Sequence, residues 1–494
     1  MKKIIIASFL LLVSFFVQGQ EMVGLISGNH HVNYSSTINP SALHNSKNYL
    51  EFNLVGFSAN LDIQNLNFDL KNFPPSELIS GNTNKYVLDY ISLDTNKKVD
   101  MYQNARIILP GISYIHNRHA FSLNSSVREH FYIKGMSGEI TVFMMNEGLS
   151  YKPYHNKLLQ NERIEISALL WNEIRLGYSY MIKQERHQRI AVGINLKRLY
   201  GGTNFNIRFT NLDFTPIDNG TLSVHNMNMD IESSLFFDPS TNNFNNSDPL
   251  IKGKGWGFDL GITYYYSEKG FKKNHNKQAC KIPYQEYDYR IGFSVIDIGA
   301  IKFNNNAWKT SDFNNGNSTW YHLNNFQFNG MNNMIDSLNT HIFNNQGTLS
   351  AESYNALLPA ALSVQFDLRF QKNFYLNTTW IHGFRYQKNV PVRPAVIALT
   401  PRFEKNHLEL AFPLLMYDYR SPRAGFFVRY RFLSIGTDRL GMFFNKQEFD
   451  GFDVYASLTF RLQKGKCGLF SKKKKLCEAY DSGKTRHSKK RKNW

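Results

Sequence analysis

Two pairs of residues in this sequence are of types that commonly bind metal ions or act in acid–base catalysis. His30 and His31 are neighbours, and imidazole is a common metal ligand. Asp259 and Asp297 lie close to glycines near the ends of apolar segments, and two carboxylates can act as general acid and base. Adjacent histidines rarely face one site, so we expect no metal centre from them. We interpret the two aspartates as strand ends or members of a polar network.

The sequence lacks the motifs of common catalytic sites. It contains no Gly-x-Ser-x-Gly elbow, no His-Glu-x-x-His pair and no phosphate-binding loop. No spacing of Cys and His residues resembles a zinc site. The sequence therefore predicts a protein that is not an enzyme, with no catalytic residue, no metal and no other cofactor.

The N-terminus has the pattern of a secretory signal peptide. Lys2 and Lys3 precede an apolar run at residues 4–17, and Gly19 supplies a small residue near the cleavage position. The run is too short for a membrane-spanning helix, and no cysteine follows it for a lipid anchor. We expect residues 1–19 to be removed and the mature chain to leave the cytoplasm, which argues against nucleic acid as a partner. A buried N-terminal helix is the alternative.

The net charge of +18 is concentrated at the C-terminus. Residues 463–494 hold 12 Lys and Arg against 2 Asp and Glu, and such a block is usually disordered. We expect a basic tail that either stays solvated or binds phospholipid headgroups, peptidoglycan or an acidic protein. The candidate anion-binding residues are Lys472, Lys473, Lys474, Lys475, Lys489, Lys490, Arg491 and Lys492.

The chain has three cysteines, too few for a disulfide-rich scaffold. Cys467 and Cys477 are close enough in sequence to close a small loop as a disulfide. Unpaired thiols in flexible segments are the alternative.

The middle of the chain alternates apolar and polar residues over unusually long segments. In residues 362–371, LSVQFDLRFQ, one face is entirely apolar and the other is polar, and residues 255–266 and 452–462 follow the same pattern. A period of two over this length predicts strands with one apolar face.

Two architectures fit such strands, and their length separates them. Strands of a soluble sandwich are typically about 5–6 residues long, whereas strands of a membrane barrel need about 9–11. In a barrel the apolar face meets lipid and the polar face encloses water, and an aromatic content of 15% also suits a membrane barrel. The candidate lumen-lining residues are Arg128, Glu173, Arg175, Lys197, Asp259, Arg290, Asp367, Arg369, Glu409, Arg429 and Arg461.

The connections alternate between short and long, as in outer-membrane barrels. Because lipid offers no partner to an open sheet edge, the first and last strands must pair. This predicts an all-β fold, a single closed antiparallel barrel over residues 49–462. The predicted strands are 49–61, 101–116, 119–134, 165–183, 188–200, 254–267, 285–300, 357–371, 373–386, 393–404, 406–417, 423–431, 433–441 and 451–462, which makes fourteen.

Several segments resemble a known group of proteins. INPSAL at residues 38–43, WNEIRLGYSY at 171–180, IAVGINLKRLYGG at 190–202 and GWGFDLGITY at 255–264 appear in an order similar to that of an uncharacterised, FadL-related barrel family of Bacteroidota. That family is near the PorV and PorP/SprF accessory barrels of type IX secretion. The resemblance implies the outer membrane of a Gram-negative bacterium, a FadL-like barrel, and an N-terminal plug at residues 20–48.

Two functions follow as alternatives. The first is a channel in outer-membrane lipid that binds or passes a small hydrophobic molecule. The second is a non-catalytic accessory or adaptor barrel whose basic tail, on the periplasmic side, docks a periplasmic protein or peptidoglycan. Residues 331–342 have the spacing of a short loop helix, for which we favour packing against neighbouring loops over a role as cap or portal. For Trp308 and Trp320 a ligand contact and a place in the interface belt or loop core are open alternatives.

Overall fold

The fold is taken from a computed structural model of the chain. It describes residues 21–69, 91–146, 148–161, 163–235, 249–272, 278–323, 350–387, 389–444 and 448–465. The predicted signal peptide, the loop helix at 331–342 and nearly all of the basic tail, with Cys467 and Cys477, lie outside these residues.

Strands make up most of the described chain, and helices are short. The α-helices are α1 (Val23–Ile26), α2 (Val32–Ser35), α3 (Gly138–Met145) and α4 (Gly441–Phe444), and short 3-10 helices span Pro40–Asn45, Gly148–Ser150, Lys152–Tyr154 and Ala279–Lys281. The strands are β1 (Asn48–Gln64), β2 (Leu66–Asp69), β3 (Ile91–Leu93), β4 (Lys98–Ile108), β5 (Gly111–His116), β6 (His119–Ser137), β7 (Leu159–Asn161), β8 (Ile164–Gln184), β9 (Gln188–Pro216), β10 (Leu222–Ser234), β11 (Gly253–Tyr266), β12 (Tyr289–Phe303), β13 (Ala307–Trp320), β14 (Ser350–Ala351), β15 (Tyr354–Leu357), β16 (Ala361–Gln371), β17 (Phe374–Gly383), β18 (Val396–Glu404), β19 (Leu408–Ala411), β20 (Leu414–Tyr417), β21 (Ser421–Ala424), β22 (Phe426–Tyr430), β23 (Leu433–Thr437), β24 (Glu448–Phe449) and β25 (Gly451–Gln463).

The main sheet closes on itself. The first strand β1 pairs antiparallel with the last strand β25, from Asn48 opposite Gln463 to Asp62 opposite Gly451. Fourteen strands surround the lumen when β4–β5, β15–β16, β19–β20 and β21–β22 are each counted as one interrupted strand. The predicted closed antiparallel barrel of fourteen strands is therefore confirmed, including the tight hairpin in which Tyr430 faces Leu433.

Short turns gather at one end of the barrel and long connections at the other. We call these the turn end, where β1 begins and β25 ends, and the loop end. At the loop end β9 continues to Pro216 and pairs with β10, which pairs in turn with β13. These strands lie in residues 201–253 and 301–356, the long connections between predicted strands, where no strand was predicted.

The wall alternates as a membrane barrel requires. Along β8, Ile174 and Leu176 are 42% and 57% exposed, whereas Glu173 and Arg175, on the other face, are 1% and 3% exposed. At the turn end, aromatic side chains pair on the outer face, with the rings of Phe432 and Phe460 5.9 Å apart. Apolar side chains outside and charged ones inside define a transmembrane β-barrel.

The barrel lumen contains the residues that precede β1. Residues 22–46 are all buried, and their helices contact the wall strands β1, β5, β6, β8, β9, β11, β12, β18, β22 and β23. Arg393 at the loop end pairs with Glu21, and Lys47 near the turn end pairs with Glu404 at 2.8 Å. We call residues 21–47 the lumenal segment. Within the described part of the chain, no helix has both the length and the apolar character needed to cross a membrane.

Cys280 lies in the connection between β11 and β12 and is disulfide-bonded. The chain has two other cysteines, Cys467 and Cys477, both outside the described residues.

Candidate functional site

Three glycines of the barrel wall contact the turn that residues 39–41 form in the lumenal segment. A Cβ atom at Gly193 would lie 2.4 Å from the backbone nitrogen of Ser41, and one at Gly261 would lie 2.2 Å from Oδ1 of Asn39. Gly292 is similarly close to the Asn39 side chain. Because a Cβ atom cannot approach other atoms so closely, glycine is required where the lumenal segment rests on β9, β11 and β12.

Hydrogen bonds fix the same turn to the wall. Asn39 caps the 3-10 helix by accepting from Ser41 N and donates from Nδ2 to Gln365 Oε1 at 2.9 Å. The hydroxyl oxygens of Ser41 and Thr263 lie 2.6 Å apart. The Asn-Pro-Ser motif of the sequence therefore works as a docking element of the lumenal segment.

A buried ionic network crosses the lumen above this turn, toward the loop end. Asp297 accepts hydrogen bonds from Arg128 at 2.8 Å, from Lys197 at 2.6 Å and from Arg393 at 2.9 Å. Lys197 also donates to Asp259 at 2.6 Å. The two aspartates thus share a lysine in a structural network, which is the interpretation preferred from the sequence.

Glu173 extends this central network toward β4. It accepts from Arg106 at 3.0 Å and from Arg128 at 3.2 Å. The guanidinium of Arg128 also stacks 4.7 Å from the ring of Trp171. Such a network is costly to break, because removing one partner leaves an uncompensated charge in a desolvated place.

A second network lies near the turn end. Asp367 accepts from Arg290 at 2.9 Å and from Arg402 at 2.7 Å. Arg402 also pairs with Glu404 at 2.6 Å, and Glu404 accepts from Asn29 and Lys47 of the lumenal segment. This network ties the segment to β16 and β18.

His31 of the lumenal segment contacts a third charged group, which consists of Glu409, Arg429 and Arg461. His31 Nε2 lies 3.2 Å from Glu409, and its Nδ1 lies 2.8 Å from Arg461. Arg429 pairs with Glu409 at 3.0 Å. Burial lowers the pKa of His31 to about 4, with Arg461 acting in the same direction. Among the described residues no three His, Cys, Asp or Glu side chains are placed to hold a metal ion.

We expect the folded protein to lose stability below pH 6.5, and His44 to carry part of this loss. Burial lowers the pKa of His44 to about 3, and its Nε2 faces the Ser179 carbonyl at 3.2 Å. A folded pKa below the unfolded value means that the stability present above pH 6.5 is lost as pH falls toward 3. At pH 5 the loss from this group is about 2 kcal/mol.

Unfolding in denaturant at pH 7.5 and pH 5 measures this effect. His44→Gln, which keeps a donor for Ser179, should lose less stability between the two pH values than the wild type. His225→Gln, at an exposed position of β10, is the control. Equal losses in His44→Gln and the wild type would contradict the assignment.

A cavity of about 50 Å³ lies between the loop end of the lumenal segment and the wall. Met22 and Thr37 line it from the segment, and Arg106, Trp171 and Pro359 line it from the wall. We call it the central cavity. The central network forms part of its boundary through Arg128 and Arg393.

All of the predicted lumen-lining residues lie on the inner face, mostly in the networks above. Arg175 donates to the Asn33 carbonyl at 3.0 Å, and Arg369 pairs with Asp288 at 2.9 Å near the turn end. Arg106 and Glu404 were not predicted to line the lumen, although strand alternation marks both as inward. Glu21 and Arg393 were also not predicted, and in the structure both lie outside the strands. The eight predicted tail residues lie outside the described residues.

Fold and site together define a closed transmembrane β-barrel whose lumen holds its own N-terminal residues. The chain belongs to the protein family described as "Family of unknown function (DUF5723)", whose model matches residues 40–438. No curated protein sequence matches this chain.

Solved barrel structures resemble this fold. The chain is similar to the TodX deltaS2S3 mutant monoaromatic hydrocarbon channel, with a TM-score of 0.40 and 11% identity over 91% of this chain and 98% of that one. It is similar to the P. putida toluene transporter TodX, with a TM-score of 0.38 and 11% identity over 90% and 99%. It is also similar to a Pseudomonas aeruginosa FadL homologue, with a TM-score of 0.28 and 9% identity over 91% of this chain and 100% of that one. These likenesses concern the fold alone.

Proposed function

We propose that this protein is an outer-membrane channel that binds or passes a small hydrophobic molecule, with the lumenal segment as its plug. The observation that carries the proposal is a break in the wall beside the central cavity. β12 pairs with β16 as far as Ile296 and Ala361, and with β15 only from Ala300 and Leu357. Residues 297–299 and 358–360 between them form no regular ladder.

The chemistry of the break favours local opening. Pro359 has no N–H group to donate, and Asp297 directs its own N–H to the Asp259 carboxylate at 2.7 Å. Asp297 also has a left-handed backbone, with φ of 57°. One hydrogen bond, from Leu358 N to Gly299 O at 3.0 Å, joins the two strands at this point. Fewer interstrand hydrogen bonds lower the cost of separating β12 from β15 and β16.

Apolar or aromatic side chains lie on both sides of the break. On the inside, Pro359 lines the central cavity. On the outside, Trp256 is 57% exposed, and Tyr386 places its hydroxyl 3.5 Å from the Gly299 carbonyl. The lumenal segment fills the lumen toward the turn end, so the shortest route from the cavity is sideways into the membrane.

An apolar cluster at the loop end offers a place for capture. Phe143, Phe214 and Met227 belong to its buried part, and Trp308 and Trp320 pack against it. A hydrophobic solute gains about 25 cal/mol for each Å² of apolar surface that it buries there. We propose that the loop end faces outside the cell and that the turn end, with the basic tail, faces the periplasm.

The adaptor function is the second candidate. Lys47 and Lys464 lie at the turn end, close to Tyr284, where the basic tail begins. We propose that a tail leaving this end would meet a periplasmic protein or peptidoglycan. A relation to Bacteroidota and to the accessory barrels of type IX secretion belongs to this proposal.

A reversible lock on the plug tests the channel function. The hydroxyl oxygens of Ser41 and Thr263 are 2.6 Å apart, so S41C together with T263C places two thiols at bonding distance. We expect oxidised S41C/T263C protein in liposomes to pass N-phenylnaphthylamine at least tenfold more slowly than the reduced protein.

The two single-cysteine variants, treated with the same oxidant and reductant, control for the native bond at Cys280. Transfer that is equal in the locked and unlocked double variant would count against a moving plug. Transfer no faster than through protein-free liposomes would count against the channel function itself.

A further inference from the structure

We propose that the central cavity binds a small oxyanion, such as inorganic phosphate or a one- or two-carbon carboxylate. The first observation is a pair of unused donors. Arg106 and Trp171 line the cavity, and Arg106 Nε and Trp171 Nε1 are buried and find no hydrogen-bond acceptor within the described chain. Trp171 is 1% exposed. An unpaired buried donor is costly, so an acceptor is expected in the cavity.

Charge is the second observation. Arg106, Arg128 and Arg393 all line the cavity. Their carboxylate partners are Glu173 and Asp297, which are shared among several cations, and Glu21, which pairs with Arg393 and also lines the cavity. Three guanidinium groups at one small cavity produce a positive potential there.

The wider lumen also carries an excess of positive charge. Five cations surround the cavity and the central network, and four carboxylates face them. The cations are Arg106, Arg128, Arg175, Lys197 and Arg393, and the carboxylates are Glu21, Glu173, Asp259 and Asp297.

Arg175 accounts for the excess. It is 3% exposed and donates to the Asn33 carbonyl, while its Nε and Nη1 atoms have no acceptor among the described residues. Glu129, which also lines the cavity, alternates with Arg128 along β6. Its carboxylate accepts from Gln103 Nε2 at 3.2 Å, away from the lumenal cations. One added anion would therefore balance the charges of this group.

The size and position of the central cavity also fit a small oxyanion. A volume of about 50 Å³ is room for roughly three waters, or for an anion of four or five heavy atoms. Since Met22 and Thr37 form one side of the cavity, a bound oxyanion contacts both the lumenal segment and the wall. It would hold the segment in place, whether or not the protein passes hydrophobic molecules.

Ligand-dependent thermal unfolding tests the site. The full mature chain in detergent is heated with increasing sodium phosphate or, separately, sodium acetate, at ionic strength held constant with sodium gluconate, which is too large for the cavity. We expect a saturable rise in the unfolding midpoint with at least one of the two anions. The anion that acts identifies the ligand as phosphate-like or carboxylate-like.

Two conservative variants connect that rise to the cavity. Trp171→Phe removes the indole N–H and keeps an aromatic ring, and Arg106→Lys keeps the charge and removes Nε. Each variant should raise the anion concentration at half-saturation several-fold, and the two together should raise it at least tenfold. Trp256→Phe and Arg198→Lys, on the outer wall, are matched controls that should leave binding unchanged.

Two outcomes would overturn the proposal. One is the absence of any saturable rise with both anions, since water alone then satisfies the donors. The other is an equal rise in the wild type and in W171F/R106K protein, which would mark a general salt effect. If the double variant does not fold, Trp171→Phe compared with Trp256→Phe decides the question.

Discussion

Replacing Asp297 by asparagine lowers the stability of the folded barrel by roughly 3–5 kcal/mol, the usual cost of removing one partner from a buried ion pair. Arg128, Lys197 and Arg393 all donate to this carboxylate, at 2.8, 2.6 and 2.9 Å. Asparagine has nearly the same shape and no charge, so the three cations lose their shared counterion without a change in packing.

The backbone of residue 297 does not complicate this substitution. Its φ of 57° is left-handed, a conformation that asparagine adopts as readily as aspartate. The loss of stability in this variant therefore measures the effect of removing the charge. Unfolding of detergent-solubilised protein in denaturant measures it, and a fall in the midpoint is the expected result.

Asp94→Asn is the matched control. Asp94 pairs with Lys97 at 3.1 Å, but both side chains are largely exposed, and exposed pairs contribute little. If the two variants unfold at the same denaturant concentration, the central network does not stabilise the barrel and the lumen is more hydrated than its buried contacts indicate.

The number and position of the barrel strands could be predicted because lipid imposes a strict period of two. The hairpin between β22 and β23 was predicted as the strands 423–431 and 433–441, and it is present. β10 and β13 could not be found in the same way. Their sequences, LSVHNMNMDIESS and AWKTSDFNNGNSTW, are rich in Asn and polar residues, and β10 pairs with β13 and with the extension of β9 beyond the apolar band.

The lumenal residues could be predicted, but their partners could not. Alternation along β6 and β9 marks Arg128 and Lys197 as inward without showing what they face. Arg128 meets Asp297, which is 169 positions away along the chain. That contact depends on barrel closure and on an irregular register between β11 and β12, since Phe258 faces Ile298 whereas Leu260 faces Val295. A sequence pattern shows neither how the barrel closes nor the register between two strands.

The docking element was seen in the sequence only as a resemblance. Asn39, Pro40 and Ser41 belong to the INPSAL segment, and the glycines that receive them are spread over three strands. Each glycine has an ordinary strand context in sequence. Their common role appears only when β9, β11 and β12 are adjacent in the wall.

We expect leucine at Gly193 and Gly261 to displace the lumenal segment and open the lumen. A Cβ atom alone would lie 2.4 Å from Ser41 N at the first position and 2.2 Å from Asn39 Oδ1 at the second. The whole turn must move by more than 1 Å. It then loses its hydrogen bonds to Gln365 and Thr263, each contributing about 1 kcal/mol.

Ion conductance across planar bilayers measures this opening, and we expect it to rise at least tenfold over the wild type. Gly441→Leu is the control, because nothing lies within 4 Å of a Cβ atom there. The heat-modifiable mobility of the barrel in detergent gels shows whether each variant is folded. A folded G193L/G261L protein with wild-type conductance would mean that the segment fills the lumen without resting on these glycines. Conductance that rises equally in Gly441→Leu would assign the leak to the loop end, because α4 lies there and far from the docking element.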